Sequence, residues 1–277
     1  MTMVSERLAG ELPADHGSAS SRPGWVSWAQ APFFALQFLT VLPPTFVRRA
    51  PDYDDFGRSD AFFPAVGLLL GSILAAADWL LAPYLAESVR NVGLVALLAA
   101  MTGGLHLDGL IDTFDGLFAG PDAARRLDVM RDPRAGSFGV VAVVLQLGLK
   151  VAAISSLPPP MRGPALILAP CLGRWGIVLV TGAFAYARPS GMGRSFKDSI
   201  RWQHVMVASG IAIGGALAMA GLVGAALWLG VSLLVLAAGG WVSGRLGGLT
   251  GDIYGAVCEL VETSVLVALG LRLGGVV

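Results

Sequence analysis

The stretch AFFPAVGLLLGSILAAADWLLAP, residues 61–83, contains only one charged residue, Asp78. A helix needs about 20 mainly apolar residues to cross a bilayer, and Gly and Pro are tolerated inside such helices. This run therefore predicts a membrane-spanning helix, and six later runs resemble it. We predict an all-α, polytopic membrane bundle of about seven transmembrane helices. The other six predicted spans cover residues 89–107, 137–157, 163–186, 204–222, 224–243 and 254–273.

The composition agrees with a protein built for lipid. Of its 277 residues, 55% are hydrophobic and only 14% are charged, and the mean hydropathy is +0.70. A water-soluble globule needs far more charge on its surface. Cys171 and Cys258 both lie in apolar segments, so we interpret them as packing residues rather than a disulfide. The formal net charge is zero, and no basic field predicts a nucleic-acid partner.

The N-terminal region divides into a polar part and an apolar part. Residues 1–24 are polar and rich in small residues, which predicts a disordered cytoplasmic tail. Residues 25–44 contain two tryptophans and Pro32 and end in a double proline, which favours an interfacial or half-inserted helix. A full crossing by residues 28–43 is the alternative. We assign residues 25–277 to a single transmembrane domain.

The basic residues predict how the spans are oriented, because cytoplasmic loops are enriched in Lys and Arg. Alternating the seven spans from a cytoplasmic segment at residues 44–60 puts twelve cations inside and three outside. The aspartate-rich segment after residue 107 then faces the cytoplasm. We therefore predict a multi-pass membrane protein, and the resemblance given below implies the bacterial cytoplasmic (inner) membrane. The inside cations are Arg48, Arg49, Arg58, Arg125, Arg126, Arg131, Arg134, Arg188, Arg194, Lys197, Arg201 and Arg245, and the outside ones are Arg90, Arg162 and Arg272.

Five aspartates are concentrated in two neighbouring segments. In GGLHLDGLIDTFDGL, residues 103–117, Asp108, Asp112 and Asp115 fall within about a 60° arc of one helix face. In RRLDVMRDPRAGSFG, residues 125–139, Asp128 and Asp132 are spaced i, i+4. Carboxylates this close repel each other unless a cation compensates them, and Mg²⁺ is the natural candidate. The alternative is that these residues only cap helices and solvate a loop, which is our interpretation of Asp122.

Other polar residues of these segments have two interpretations each. Four arginines either pair with the aspartates or clamp a diphosphate, and we favour phosphate for Arg131 and Arg134. His106 lies about 200° around the helix from Asp108, which disfavours a place on the aspartate face. We keep it as a candidate for substrate contact. The four arginines are Arg125, Arg126, Arg131 and Arg134.

Charged residues inside predicted spans are also functional candidates, because burying them in a membrane is costly. Glu259 and Glu262, spaced i, i+3, follow the glycine-rich turn and Asp252 that open the last helix. A helix start suits a phosphate, whereas buried carboxylates need a cation, and Lys150 or Arg174 could supply it. Ion pairs that fix helix register are the alternative for these cations, and also for Asp78.

The same segments resemble the cobalamin synthase family. GGLHLDGLIDTFDGL, RDPRAGSFG (residues 131–139) and GGLTGDIYGAVCELVE (residues 247–262) are similar to that family's signature segments. LQFLTVLPP (residues 36–44) and FFPAVGLLLGS (residues 62–72) are similar to its opening segments. The resemblance runs in order from about residue 30 to the C-terminus.

The resemblance implies an integral membrane enzyme of the last stages of vitamin B12 synthesis. Such an enzyme joins adenosylcobinamide-GDP to α-ribazole, or its 5′-phosphate, and releases GMP. We expect Asp108, Asp112, Asp115 and Asp128 to bind Mg²⁺ against the diphosphate, with Asp132 as general base and Asp115 also catalytic. The expected substrate-binding residues are His106, Arg131, Arg134, Asp252, Glu259 and Glu262.

Three other functions remain open at this point. The aspartate pattern also looks like that of CDP-alcohol phosphotransferases, and a prenyltransferase would likewise use paired aspartates and Mg²⁺. A cation-coupled transporter would use Asp78, Glu259 and Glu262 near mid-membrane. The clustering of acids at a cytoplasmic helix end argues against the transporter.

Overall fold

The computed structural model describes residues 24–42 and 53–271, which form eleven helices and no strand. The predicted all-α fold class is therefore confirmed. The predicted disordered tail, residues 1–24, lies outside the described residues except for Gly24. The helices are α1 (Gly24–Leu39), α2 (Tyr53–Asp60), α3 (Phe63–Leu81), α4 (Glu87–Met101), α5 (Leu105–Leu117), α6 (Ala123–Val129), α7 (Ser137–Ser156), α8 (Pro159–Ala183), α9 (Met192–Ser199), α10 (Trp202–Leu246) and α11 (Gly251–Gly270).

Helix α8 is the centre of the bundle and packs against α3, α10 and α11. Its contact with α3 is very close, because a Cβ at Gly67 would lie 2.3 Å from the Pro170 carbonyl oxygen. A Cβ at Gly71 would lie 2.5 Å from Ile167 Cα. Small residues let membrane helices approach in this way. In contrast, no atom lies within 4 Å of such a Cβ at Gly210 or Gly214 of α10. These two glycines, although spaced as GxxxG, do not form a helix-packing site within the described chain.

Five helices of the described chain are long and apolar enough to cross a membrane, namely α3, α7, α8, α10 and α11. Helix α10 has 45 residues and contains a break at Ala220 and Gly221, where the backbone leaves helical geometry. Before the break, Gly215 lies near Cys171 of α8, and after it Gly239 lies near Phe184. The other contacts below show that the two halves run in opposite directions along α8.

The direction of each half of α10 follows from pairs of contacts. In the first half, Val205 lies near Gly182, so the chain moves toward the start of α8 as it reaches residue 215. In the second half, Ser232 accepts a hydrogen bond from Trp175 Nε1 at 2.9 Å, and the chain then moves toward the end of α8. The two runs predicted at residues 204–222 and 224–243 are thus the arms of a helical hairpin. The total of seven spans stays a prediction.

Helix α5 leaves the end of α4 at an angle of 90°. Gly103 (φ +61°) and Gly104 (φ +72°) form the bend, and both have left-handed backbone conformations that glycine adopts without strain. The predicted span at residues 89–107 therefore ends at Met101 as a straight helix. If the bent pair of α4 and α5 counts as one span and α10 is counted as one helix, the total is six.

Short helices cover the end of the bundle near α5. Helix α1 has 16 residues with Pro32 inside it, as predicted for a helix too short to span. Phe196 of α9 joins these helices through ring contacts with Phe38 of α1, Phe56 of α2 and Phe63 of α3, with centroids 4.6 to 5.8 Å apart. This aromatic cluster fixes α1, α2 and α9 over the cavity described below.

The opposite end of the bundle carries a second charged cluster. Asp78 accepts hydrogen bonds from Arg90 Nε at 2.7 Å and from Arg162 Nε and Nη2 at 2.8 Å. Arg162 also lies 3.3 Å from a carboxylate oxygen of Glu87. Asp78 therefore forms structural ion pairs that join α3, α4 and α8. This contact argues against Asp78 as part of a transport pathway.

Candidate active site

Helix α5 presents the predicted row of aspartates. Asp108, Asp112 and Asp115 are all half-buried and lie on one face, while Gly109 and Leu110 of the same helix are buried in the bundle. Because α5 turns away from α4 at the two glycines, this face lies at the end of the bundle rather than along its axis.

A fourth carboxylate comes from the first turn of α11. A Cβ at Gly109 would lie 2.6 Å from the Asp252 carbonyl oxygen, so only glycine allows α5 and α11 to come this close. The carboxylate of Asp112 lies close enough to Asp252, Asp108 and Asp115 to be repelled by each of them. Arg188 compensates part of this charge, since its Nη2 lies 2.8 Å from Asp252 Oδ2. We call these four aspartates and Arg188 the carboxylate cluster.

Asp115 also joins the two motif segments. Its carboxylate accepts hydrogen bonds from the backbone N–H groups of Gly136 at 2.7 Å and Gly139 at 2.9 Å. These groups belong to the N-terminus of α7, where unpaired N–H groups favour a carboxylate. A Cβ at either glycine would lie 2.4 Å from an Asp115 oxygen. Asp115 is thus an N-cap contributed by another helix, and this contact positions the loop that ends in Gly136.

Asp132 is bound by its neighbour Arg134. Arg134 donates to it from Nη2 at 2.7 Å, from Nε at 2.9 Å and from its backbone N–H at 3.0 Å. These hydrogen bonds and the positive charge lower the pKa of Asp132 to about 2. A carboxylate with so low a pKa is a weak base. The arrangement disfavours the predicted roles of Asp132 as general base and of Arg134 as a free phosphate ligand.

The other charged residues in and before the second aspartate segment make separate contacts. Arg125 and Arg126 donate from Nε to the carbonyl oxygens of Ala119 and Gly120, at 2.9 and 2.6 Å, so they stabilise the loop before α6. Asp122 is the N-cap of α6, as predicted. Asp128 is exposed on α6. No described contact brings it to the carboxylate cluster.

A cavity of about 570 Å³ opens beside the carboxylate cluster. Asp252 and Arg188 line one part of it, and Tyr186 lies between them and α9. Burial raises the pKa of Tyr186, while the positive charge of Arg188 opposes that rise. The rest of the wall is mainly aromatic and aliphatic, from Phe38, Leu39, Phe63, Ile177, Met192, Phe196 and Tyr254.

His106 also lines this cavity and is almost completely buried. Its Nδ1 lies 3.4 Å from Arg174 Nη2. A guanidinium group can only donate, so Nδ1 must accept and Nε2 must carry the proton. Nε2 has no hydrogen-bond partner within the described chain. His106 is thus a neutral donor at the cavity wall, which agrees with its predicted contact with substrate.

Glu259 and Glu262 lie away from this cavity, in a buried ion network. Lys150 Nζ contacts Glu259 at 2.6 Å and Glu262 at 2.7 Å, and Arg174 Nη1 contacts the other oxygen of Glu262. All four side chains are buried, and their formal charges cancel. The network joins α7, α8 and α11. Its geometry supports the ion-pair alternative given above for Lys150 and Arg174, and substrate binding by the two glutamates stays a prediction.

Magnesium chemistry fits the cluster only in part. Among residues 24–42 and 53–271, no three His, Cys, Asp or Glu side chains are arranged to hold a metal ion. Mg²⁺ is often held by one or two carboxylates together with substrate phosphates and water. Mutually repelling, half-buried carboxylates provide donors of that kind. They lie beside a cavity large enough for part of a nucleotide.

Three residues of the site were missed in the sequence. Arg188 was counted only as a loop charge, while Asp60 and Tyr254 were not considered. Asp60 carries the weakest local signal, because a lone aspartate before an apolar run is ordinary. Its significance depends on its burial beside the cavity, which only the folded chain creates.

Comparison with known proteins shows the family of this chain. Residues 31–270 match the family model described as Cobalamin-5-phosphate synthase. A protein named adenosylcobinamide-GDP ribazoletransferase from Roseiflexus sp. (strain RS-1) is 40% identical over 243 residues, covering 86% of this chain and 88% of its own. A protein of the same name from Geotalea daltonii is 40% identical, covering 88% and 97%. No solved structure matches. On this similarity along most of its length, the chain belongs to the cobalamin-5-phosphate synthase family.

Proposed function

We propose that this chain is a Mg²⁺-dependent membrane transferase that joins adenosylcobinamide-GDP to α-ribazole or its 5′-phosphate. The products are adenosylcobalamin, or its 5′-phosphate, and GMP. The single observation that carries the proposal is the carboxylate cluster beside the cavity, in a chain whose relatives are named adenosylcobinamide-GDP ribazoletransferase. The family description, which contains the word phosphate, favours the 5′-phosphate as the acceptor.

The chemistry is a displacement at phosphorus. A ribose hydroxyl of the acceptor attacks the phosphorus that bears the cobinamide, and the bond from that phosphorus to the GMP oxygen breaks. Asp108 and Asp112 would hold Mg²⁺ together with diphosphate oxygens. Of the other two predicted ligands, Asp115 caps α7 and Asp128 lies exposed on α6, apart from the cluster. When bound, the ion neutralises charge that develops on the leaving phosphate.

The residues of the chain orient the substrate and move the proton. Arg188 lines the cavity and binds phosphate oxygens, with Arg131 as the second predicted phosphate ligand, while His106 Nε2–H donates to the substrate. The proton of the attacking hydroxyl passes to a carboxylate of the cluster rather than to Asp132, because Arg134 already binds Asp132. The site works at the cytoplasmic surface of the inner membrane, which agrees with the twelve inside cations.

The test uses the purified full chain in detergent with Mg²⁺, adenosylcobinamide-GDP and each acceptor. We expect GMP and the completed corrinoid by mass spectrometry, and loss of both after chelation of the metal. Asp112→Asn should lower turnover by at least ~100-fold, as expected when transition-state charge stabilisation is removed. Asp122→Asn keeps a good helix cap and should retain wild-type turnover.

Two outcomes would contradict the proposal. Transfer from a prenyl diphosphate with no GMP release would favour a prenyltransferase. Cation-driven uptake into proteoliposomes with no product would favour a transporter.

A further inference from the structure

Asp60 is a buried carboxyl group without a partner. It ends α2, its side chain is 1% exposed, and neither carboxylate oxygen has a hydrogen-bond partner in the part of the chain that the structure describes. Burial alone raises the pKa of Asp60 well above its ordinary value, since no cation offsets it. Unsatisfied buried polar groups are rare in folded proteins because they cost stability. A buried carboxyl group without a partner, in a residue that lines a cavity, is a candidate for contact with a ligand that reaches it.

Asp60 lines the same cavity as the carboxylate cluster. Phe38, Phe63 and Phe196 line this cavity, and so do Arg188 and Asp252 of the carboxylate cluster. The cavity of about 570 Å³ therefore combines aromatic side chains and the acidic group of Asp60 with the region that we assign to the diphosphate. A nucleotide has these two parts, an aromatic base and a phosphate.

The acceptor chemistry selects the base. Two donors from a ligand would offset the burial and favour the ionised form of Asp60, which offers two adjacent acceptors. Guanine presents N1–H and the N2 amine side by side. Adenine presents an acceptor at N1 beside its amine, and the benzimidazole edge of α-ribazole presents no N–H. Bases also stack favourably on aromatic side chains.

We propose that Asp60 binds the guanine base of the nucleotide donor, accepting hydrogen bonds from N1–H and from the N2 amine while the base contacts the aromatic walls. The inference rests on the proposed function, because that function supplies a guanine nucleotide. Asp60 would then determine the specificity for the base, which the carboxylate cluster at the diphosphate does not determine.

The first test measures binding of nucleoside monophosphates to the wild-type chain in detergent by calorimetry. We expect GMP to bind about 10-fold more tightly than IMP, which lacks the N2 amine, because each 1.4 kcal/mol is tenfold in affinity. XMP should bind at least ~100-fold more weakly than GMP, because its C2 carbonyl faces the carboxylate. Equal affinities for GMP and XMP would overturn the inference without any variant.

The second test changes the acceptor. In Asp60→Asn the amide oxygen still accepts from N1–H, while the amide NH₂ donates to the C2 carbonyl of xanthine. We expect the preference to invert, so that the variant binds XMP more tightly than GMP. Asp198→Asn is the matched control, since Asp198 pairs with Arg194 outside the cavity, and it should keep the wild-type preference. An Asp60→Asn protein that still prefers GMP to XMP would overturn the inference.

These tests separate the inference from the proposed function. Release of GMP from adenosylcobinamide-GDP together with no preference for GMP over XMP contradicts the role of Asp60 alone. A clear preference for GMP with no transfer to either acceptor contradicts the proposed reaction and supports a guanine site at Asp60.

Discussion

At the residue scale, helical spacing predicts which aspartates share a face, but not which atoms each one contacts. The i, i+4, i+7 pattern was enough to group Asp108, Asp112 and Asp115 on α5. The hydrogen bonds from Gly136 and Gly139 to Asp115 could not be foreseen, because they depend on how α7 packs against α5. That Asp60 has no hydrogen-bond partner among the described residues could not be foreseen either, because it depends on which side chains surround Asp60 in the folded chain.

The different contacts of two aspartates on one face lead to a stability prediction. Asp115→Asn should lower the free energy of unfolding by about 1 kcal/mol, because an amide has one acceptor oxygen for two backbone donors at a helix N-terminus. Asp112→Asn removes a charge that repels three others and should not lower stability. Thermal unfolding in detergent measures both variants. Equal melting temperatures for the two variants would argue against the capping contact.

At the element scale, apolar run length predicted the helices well and their breaks poorly. The runs located α3, α7, α8 and α11 to within a few residues. They also separated the two arms of α10, which meet at Gly221. They did not predict that α4 and α5 meet at 90°, because consecutive glycines such as Gly103 and Gly104 are common inside membrane helices and only their positive φ angles reveal a bend.

The ion network that joins α7, α8 and α11 gives a prediction at this scale. Lys150→Met or Glu259→Gln alone should each lower the free energy of unfolding by about 3–5 kcal/mol, because each leaves an uncompensated buried charge. The double variant should lose less than the sum, since it removes a contacting pair. Thermal unfolding of the four proteins measures this coupling. Additive losses would contradict a direct ion pair.

At the scale of the whole molecule, the sequence predicted the membrane class, which the long apolar helices support, while the orientation of the site stays a prediction. Composition and charge asymmetry are sums over many residues, so errors in single residues matter little. The cavity could not be predicted in this way. Its wall combines α1, α3, α9 and α11, which are distant in the sequence, and no local pattern brings them together.

The predicted orientation can be tested by labelling single cysteines in a chain whose two native cysteines are replaced by alanine. Ser88 and Ser190 are both exposed and lie at opposite ends of the bundle. In spheroplasts, a membrane-impermeant maleimide should label Ser88→Cys at once and Ser190→Cys only after the membrane is permeabilised. The reverse order of labelling would place the carboxylate cluster outside the cell.

The ion network also bears on how the chain is made. Synthesis proceeds from the N-terminus, so α7 and α8 emerge with Lys150 and Arg174 long before their glutamate partners. Both partners belong to α11, the last helix. Until that helix has been synthesised, Lys150 and Arg174 need other groups, such as water or lipid headgroups, to compensate their charges. We therefore expect the bundle to assemble fully only after α11 has been synthesised. A chain that ends before residue 251 would lack both glutamates of the network.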